Sequence, residues 1–222
     1  MPEIACIQRE SQRIDALRKL NVLDTAPNDA FDRITRMAAQ LFNLPFAAIS
    51  LTDVDRQWFK SRVGVAYDSI PRLQAPCARV ATAEQLLIVP DLLASPDFCD
   101  SVLAKSGVRF YAGAPLTTSD GFCIGAMCVL GGEPREATEQ EMQSLRDMAA
   151  MVMAQIELKY AIGRTDSLSG MPNQRRFRED VDELGRTDAP GTQRLAVLIN
   201  LATLPQIDAA VRVLGRLTSM RC

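Results

Sequence analysis

The chain has 222 residues, which is enough for one domain of typical size and a remainder. Its composition, 47% hydrophobic and 23% charged, is that of an ordinary soluble globular protein. A net charge of −2 disfavours a nucleic-acid-binding surface, which needs a basic surplus. The chain contains no histidine. This excludes Ser-His-Asp and Cys-His nucleophiles, HExxH metalloenzymes and zinc sites with a histidine ligand.

The sequence predicts a cytoplasmic protein without a membrane partner. No stretch approaches the roughly 18 uninterrupted apolar residues of a membrane-spanning helix, and residues 1–9 lack the pattern of a signal peptide. Six cysteines occur at irregular spacing without a CxxC pair, as expected of buried thiols in a reducing compartment. Cys123 and Cys128 lie five residues apart in a strand-like run, so alternation predicts opposite faces for them. We therefore expect no metal and no cofactor.

Two amphipathic helices are predicted at the N-terminus. Apolar residues recur at helical spacing within residues 8–23, and residues 24–28 interrupt that pattern. A second apolar stripe follows Pro27, a residue suited to a first helical turn, and ends at Leu44-Pro45.

Five short strands are predicted next, four of them as two hairpins. The predicted strands are residues 46–52, 57–63, 86–89, 109–116 and 122–130. The turn of the second hairpin contains Asp120 and Gly121, which tolerate positive φ angles. Residues 64–106, which contain four prolines, are predicted to be irregular apart from the strand at 86–89.

A long helix is predicted from Thr138 to about Ile162. Thr138 and Glu141 have the spacing of a capping box. One apolar stripe along this helix consists of Leu145, Met148, Ala149, Val152 and Ile156. Met151, Ala154 and Leu158 flank the stripe, so the apolar surface is wider than packing on one sheet requires. Either the core face is wide, or the surplus surface pairs with the same helix of a second subunit.

The residues after Gly163 read as an incomplete α/β segment. A loop-like run is followed by a charged helix at 174–184, a buried strand at 195–199 and a helix at 207–217. One strand and two helices do not bury their own apolar faces.

Several motifs in chain order resemble the GAF domain of bacterial signalling proteins. They are Leu23-Asp24-Thr25, Phe31-Asp32-Arg33-Ile34, Asp55-Arg56-Gln57-Trp58-Phe59-Lys60-Ser61, Val89-Pro90-Asp91, residues 109–116 and residues 124–130. The resemblance implies an α+β fold: a GAF-like antiparallel sheet with the terminal helices on one face. It also implies a small-molecule pocket on the opposite face and a parallel homodimer through the terminal helices. We assign residues 1–162 to this sensory domain, including its N-terminal helix and linker helix.

The predicted pocket remains without an identified ligand. Its candidate residues are Trp58, Phe59, Cys77, Arg79, Phe110 and Tyr111. Aromatic residues in short strands also serve as core, so both interpretations stay open. Relatives carry a histidine two residues after the cysteine, whereas Cys77-Ala78-Arg79 has arginine there, which disfavours a bilin chromophore. No motif marks a phosphate cradle for a cyclic nucleotide.

The run Asp166-Ser167-Leu168-Ser169-Gly170-Met171-Pro172-Asn173 resembles the opening of a GGDEF (diguanylate cyclase) domain. The resemblance implies a vestigial nucleotide-facing role for Asn173. It also implies a Mg²⁺-binding aspartate at the end of the next strand, where this chain has Asn200. The signature loop is absent, and Gly131-Gly132-Glu133-Pro134 lies in the GAF part. We expect residues 163–222 to be a truncated, degenerate GGDEF-like segment without catalytic activity.

Three hypotheses follow for function. The leading one is a sensory and dimerisation module of a cyclic di-GMP-type signalling protein, which binds a small molecule or partner and transmits the change through residues 138–162. The second is a structural dimer module without a ligand. The third is a free methionine sulfoxide reductase, in which a cysteine such as Cys77 is activated by Arg79 or Arg109.

Overall fold

The computed structural model describes residues 2–164, 166 and 171–187. Its helices are α1 (Pro2–Leu20), α2 (Asp29–Leu41), α3 (Pro76–Ala83), α4 (Val102–Lys105), α5 (Glu139–Ile162) and α6 (Gln174–Thr187). Its strands are β1 (Phe46–Thr52), β2 (Arg56–Val63), β3 (Ser69–Pro71), β4 (Leu87–Val89), β5 (Phe110–Thr117) and β6 (Cys123–Gly131). A short 3₁₀ helix, Arg72–Gln74, joins β3 to α3.

The strands form one antiparallel sheet in the order β3-β2-β1-β6-β5-β4. Both predicted hairpins, β1–β2 and β5–β6, are confirmed. In the second hairpin the Thr118 amide donates to the carbonyl of Phe122 across 2.9 Å. Gly121 turns that loop with a φ of 83°, a conformation that glycine adopts without steric cost.

Two apolar cores lie on opposite sides of the sheet. We call the side covered by α1, α2 and α5 the helix face, and its core includes Leu17, Phe31 and Val152. We call the side covered by α3 and α4 the α3 face, and its core includes Val80 and Leu92. The terminal helices therefore share one face of the sheet, as predicted.

Helix α5 follows the sequence prediction closely. The Thr138 side chain accepts from the Glu141 amide and the Glu141 side chain accepts from the Thr138 amide, so the capping box is confirmed. The predicted apolar stripe is buried against the sheet. Outside this stripe, Met151, Leu158 and Ile162 are 51%, 54% and 63% exposed. The surplus apolar surface is therefore exposed in the chain as described.

Helix α1 is fixed to the sheet by charged groups as well as by apolar packing. Arg13 is 3% exposed and donates to the Thr52 carbonyl across 2.7 Å. Glu10 accepts hydrogen bonds from both Arg13 and Arg72. The Arg13 guanidinium, with support from Arg72, lowers the pKa of Glu10 from 4.5 to about 2, against the opposing effect of burial.

Some element predictions need correction. Helix α1 begins at Pro2 and ends at Leu20, rather than covering residues 8–23. The stretch predicted to be irregular contains α3, because Pro76 occupies the start of that helix, where a missing amide is tolerated. The short elements β3 and α4 were also missed.

The C-terminal predictions are tested only in part. Helix α6 covers the charged stretch predicted at 174–184. The predicted strand at 195–199, the helix at 207–217 and Asn200 lie outside the described residues. Among the helices that the structure describes, none has the length and apolar character needed to cross a membrane.

Candidate functional site

The six predicted pocket residues do not line one pocket. Phe59, Cys77 and Tyr111 belong to the core of the α3 face. Trp58 and Phe110 pack in the core of the helix face, because neighbouring residues of a strand point to opposite sides of the sheet. Arg79 lies elsewhere, at the protein surface. The structure therefore brings three of the six candidates together.

Two of these three residues, Cys77 and Tyr111, form a buried thiol–phenol cluster with Cys128. The Tyr111 hydroxyl donates to Cys77 Sγ across 3.2 Å, and the sulfurs of Cys77 and Cys128 are 3.9 Å apart. Their side chains are almost wholly buried, with exposures of 0% for Tyr111 and 1% for each cysteine. These side chains belong to the core of the α3 face, the side of the sheet on which the resemblance implies a pocket.

Contacts within this cluster change the acidity of its members. The contact with the Cys128 thiol, followed by those with the Ser50 and Tyr111 hydroxyls, lowers the pKa of Cys77 although burial opposes the change. The same sulfur–sulfur contact, together with burial, raises the pKa of Cys128. Burial raises the pKa of Tyr111. Cys77 is thus the most acidic thiol of the cluster, yet it is covered by protein.

The prediction that Cys123 and Cys128 lie on opposite faces is wrong. Cys123 Sγ lies 4.0 Å from the carbonyl of Val80 in α3, and Cys128 faces Cys77 of the same helix. The β5–β6 register pairs Leu116 with Gly125 and Thr117 with Cys123, which leaves one residue of β6 unpaired. This β-bulge reverses the alternation and turns both thiols toward α3.

Both arginines that were predicted to activate a cysteine interact with carboxylates instead. Arg109 makes a two-pronged ion pair with Asp91, through contacts of 2.6 and 2.5 Å. The side chain of Arg79 is 64% exposed and its guanidinium lies 3.9 Å from Asp97. Arg79 lines an open groove of about 730 Å³ together with Arg72, Asp97 and Phe98.

A second cavity lies on the helix face and was not predicted from the sequence. It has a volume of about 340 Å³ and lies between the α1–α2 connection and the C-terminal part of α5. Its polar and aromatic lining residues are Thr25, Asn28, Phe31, Lys60, Lys159, Tyr160 and Arg175. Among the described residues that line it, none is acidic.

A β-bulge places Lys60 in this cavity. In the β1–β2 register Ile49 pairs with Ser61 and Ser50 pairs with Phe59, so Lys60 has no partner across the ladder. Consequently Lys60 and Ser61 both face the helices. Ser61 donates to Asp32 Oδ1 across 2.6 Å.

Lys60 is a buried cation held by neutral groups. It is 6% exposed, and its ammonium donates to Thr25 Oγ1 across 2.6 Å and to the Ala26 carbonyl across 2.7 Å. Burial, followed by the nearby charge of Lys159, lowers the pKa of Lys60, while Asp32 acts in the opposite direction. Lys60 and Lys159 lie 5.6 and 5.4 Å from the centre of the Phe31 ring.

Asn173, the predicted nucleotide-facing residue, lies at the start of α6. Its side-chain oxygen accepts from the amides of Arg175 and Arg176, both at 3.1 Å, and its side-chain nitrogen donates to the Gly163 carbonyl across 2.8 Å. Asn173 therefore acts as a helix cap and connects that cap to the end of α5.

The geometry offers no ready metal centre in the part of the chain that the structure describes. There, no group of three or more cysteine and carboxylate side chains comes close enough to hold a metal ion.

Comparison with known proteins identifies the family. The model of the GAF domain family matches residues 26–156, more than half of the chain. The chain belongs to the GAF domain family. This match covers the whole sheet, α2 and most of α5, and it includes both faces described above.

A curated relative extends the similarity over nearly the whole chain. A cyclic di-GMP phosphodiesterase of Pseudomonas aeruginosa is 33% identical over 209 residues, a match that covers 93% of this chain and 35% of that protein. The chain thus spans about a third of the relative's length. The match of 209 residues is longer than the GAF domain at residues 26–156, so it continues beyond that domain.

Solved structures confirm the GAF fold. The GAF domain of an Acinetobacter phosphoenolpyruvate-protein phosphotransferase has a TM-score of 0.52 and 16% identity, covering 68% of this chain and 97% of that one. A free methionine-R-sulfoxide reductase from Neisseria meningitidis has a TM-score of 0.50 and 20% identity, covering 68% of this chain and 86% of that one. At these identities the likeness concerns the fold alone.

Proposed function

We propose that this GAF domain is the sensory and dimerisation module of a cyclic di-GMP signalling protein. The observation that carries the proposal is the similarity to a cyclic di-GMP phosphodiesterase along 93% of the chain. A small molecule or protein partner binds the domain, and the change is transmitted along α5 to the segment that follows. The module acts by favouring one arrangement of two subunits over another.

The exposed stripe on α5 supports a dimer. Met151, Leu158 and Ile162 are separated by seven and four residues, which is the spacing of one seam of a two-stranded coiled coil. Each of them is more than half exposed. Parallel pairing of two α5 helices covers this stripe and brings the two C-terminal segments side by side.

Light scattering tests the dimer. We expect a mass of twice the 24.4 kDa chain for the wild type and of one chain for Leu158→Asp or Met151→Asp. The matched control is Leu73→Asp, since Leu73 is fully exposed and lies outside the stripe. A monomeric wild type, or dimers of both α5 variants, would contradict the proposal.

We further propose that residues 163–222 are the beginning of a degenerate GGDEF-like segment, and that residues 1–162 form the sensory unit. The motif ending at Asn173 and the length of the phosphodiesterase match support this division. Asn200 stands where an active cyclase has a Mg²⁺-binding carboxylate. The chain by itself is then a regulatory piece without catalytic activity.

An activity assay tests that last point. We expect the chain, incubated with Mg²⁺ and GTP, to form no cyclic di-GMP, and to leave added cyclic di-GMP intact. Formation of cyclic di-GMP from GTP, or breakdown of added cyclic di-GMP, by the purified chain would overturn the non-catalytic assignment.

The reductase hypothesis has weaker support. Cys77 has a lowered pKa, but it is 1% exposed and belongs to the buried side of α3, so attack on a sulfoxide would require that helix to move away from the sheet. We expect no thioredoxin-coupled reduction of free methionine sulfoxide. Activity that Cys77→Ser abolishes would make the chain an enzyme.

A further inference from the structure

We propose that the cavity on the helix face is a binding site for a small carboxylate- or phosphate-bearing metabolite. This anion site comprises Thr25, Phe31, Lys60, Lys159, Tyr160 and Arg175. The inference rests on the proposed sensory function, because it names the class of ligand that such a module detects. It locates the ligand on the opposite side of the sheet from the pocket predicted by resemblance.

The charges of the anion site favour a negative ligand. Three cationic side chains, Lys60, Lys159 and Arg175, line one cavity of about 340 Å³. The carboxylate of Asp32 acts on Lys60 from nearby and accepts a hydrogen bond from Ser61, but it does not line the cavity. An anion between the lysines offsets their mutual repulsion.

The ammonium group of Lys60 has a hydrogen-bond donor available for such a ligand. An ammonium has three N–H donors, and in the described structure two of them reach neutral oxygens of Thr25 and Ala26. The third donor remains for a ligand in the cavity. Lys60 is 6% exposed and its direct hydrogen-bond partners are neutral, and burial of a charge without a directly paired counter-ion is costly in a protein interior. The β-bulge that turns Lys60 inward is the kind of backbone feature found beside functional sites.

The size and lining of the cavity restrict the ligand. Its volume lies at the small end of the range of about 300–1,000 Å³ that is usual for small-molecule sites. Phe31 and Tyr160 supply aromatic surface beside the cations. Together these features fit a compact metabolite with one or two anionic groups.

The anion site lies where a ligand can act on α5. Ile156, Lys159 and Tyr160 belong to the C-terminal part of that helix, whereas Thr25 and Asn28 belong to the α1–α2 connection. Arg175 follows the Asn173 cap, whose side chain contacts Gly163 at the end of α5. A bound anion would draw these segments together and so bias the exit from the domain.

Isothermal titration calorimetry on the whole chain tests the site. The probes are inorganic phosphate and citrate, titrated separately at constant ionic strength and monitored for one site per chain. The two probes distinguish a phosphate site from a carboxylate site. We expect at least one to bind, and Lys159→Gln to weaken its affinity about tenfold, as loss of one charge-assisted contact does.

Control variants separate the anion site from general charge. Lys105→Gln removes an exposed lysine of α4 and should leave affinity unchanged, whereas Lys159→Arg should retain binding. Circular dichroism shows whether each variant is folded. The absence of binding of both probes to the wild type, or equal binding by Lys159→Gln, would overturn the inference. Light scattering decides the proposed function separately. If the chain binds neither anion but is a dimer through α5, only the anion site is wrong; if the chain is a monomer, the proposed function fails whatever the titration shows.

Discussion

The two faces of the sheet have opposite characters. On the α3 face, Tyr111, Cys77 and Cys128 fill the interior and contact one another directly. On the helix face, a cavity lined by Lys60, Lys159 and Arg175 remains beside an otherwise apolar core. The interior of the α3 face is thus packed around Tyr111, and an open groove of about 730 Å³ lies at its surface beside Arg79 and Phe98. The comparison teaches that the two faces differ in the charge around their open space: the groove is lined by Asp55 and Asp97 as well as by arginines, whereas none of the described residues that line the cavity of the helix face is acidic.

The largest expected effect on stability comes from truncating a side chain in the core of the α3 face. Tyr111→Ala removes a fully buried side chain, so we expect a loss of about 3–5 kcal/mol in the free energy of unfolding. Urea denaturation followed by circular dichroism measures it. Tyr111→Phe is the matched control, which removes the hydroxyl alone at a cost of about 1 kcal/mol. A loss of less than about 1 kcal/mol for Tyr111→Ala would show that the core of the α3 face is not close-packed.

An intermediate effect comes from the charges that hold α1 on the helix face. We expect Glu10→Gln to reduce the free energy of unfolding by about 1 kcal/mol near neutral pH. The pKa of Glu10 is lowered from 4.5 to about 2, so its contribution is complete above pH 4.5 and is lost as the pH falls toward 2. The difference between wild type and variant should shrink across that window in urea titrations. A difference that stays constant down to pH 2 would contradict the assigned ion pairs.

The smallest effect is expected at the anion site. Lys60→Met removes a buried charge while retaining much of the side-chain volume, so we expect unfolding free energy to be unchanged or raised by about 1 kcal/mol. Thermal denaturation without added anions compares it with the wild type. A loss of more than about 2 kcal/mol would make Lys60 a structural residue, and the contrast between the faces would lose its functional meaning.

Local patterns made much of the fold predictable. The hairpins follow from alternating apolar runs around polar turns, and the start of α5 follows from the capping box at Thr138 and Glu141. The buried stripe of α5 follows from helical periodicity. Each of these features depends on residues that are close together in the chain.

The site was harder to predict because it depends on distant residues and on β-bulges. Lys60, Lys159 and Arg175 come from three separate elements, so no basic run or phosphate motif marks them. The bulge at Lys60 and the bulge in β6 reverse the side-chain alternation on which the sequence argument relied. The one local signal was a lysine between Phe59 and Ser61 in an otherwise strand-like motif.

The most direct test of the account is to map where an anion acts on the chain. In ¹⁵N–¹H correlation spectra recorded with inorganic phosphate and with citrate, we expect the largest shifts at Thr25, Phe31, Lys60 and Tyr160. The amides of Cys77, Tyr111 and Cys128 on the α3 face should move little. Shifts concentrated at those three residues, or no shifts with either anion, would contradict the claim that the helix face is the one that receives the ligand.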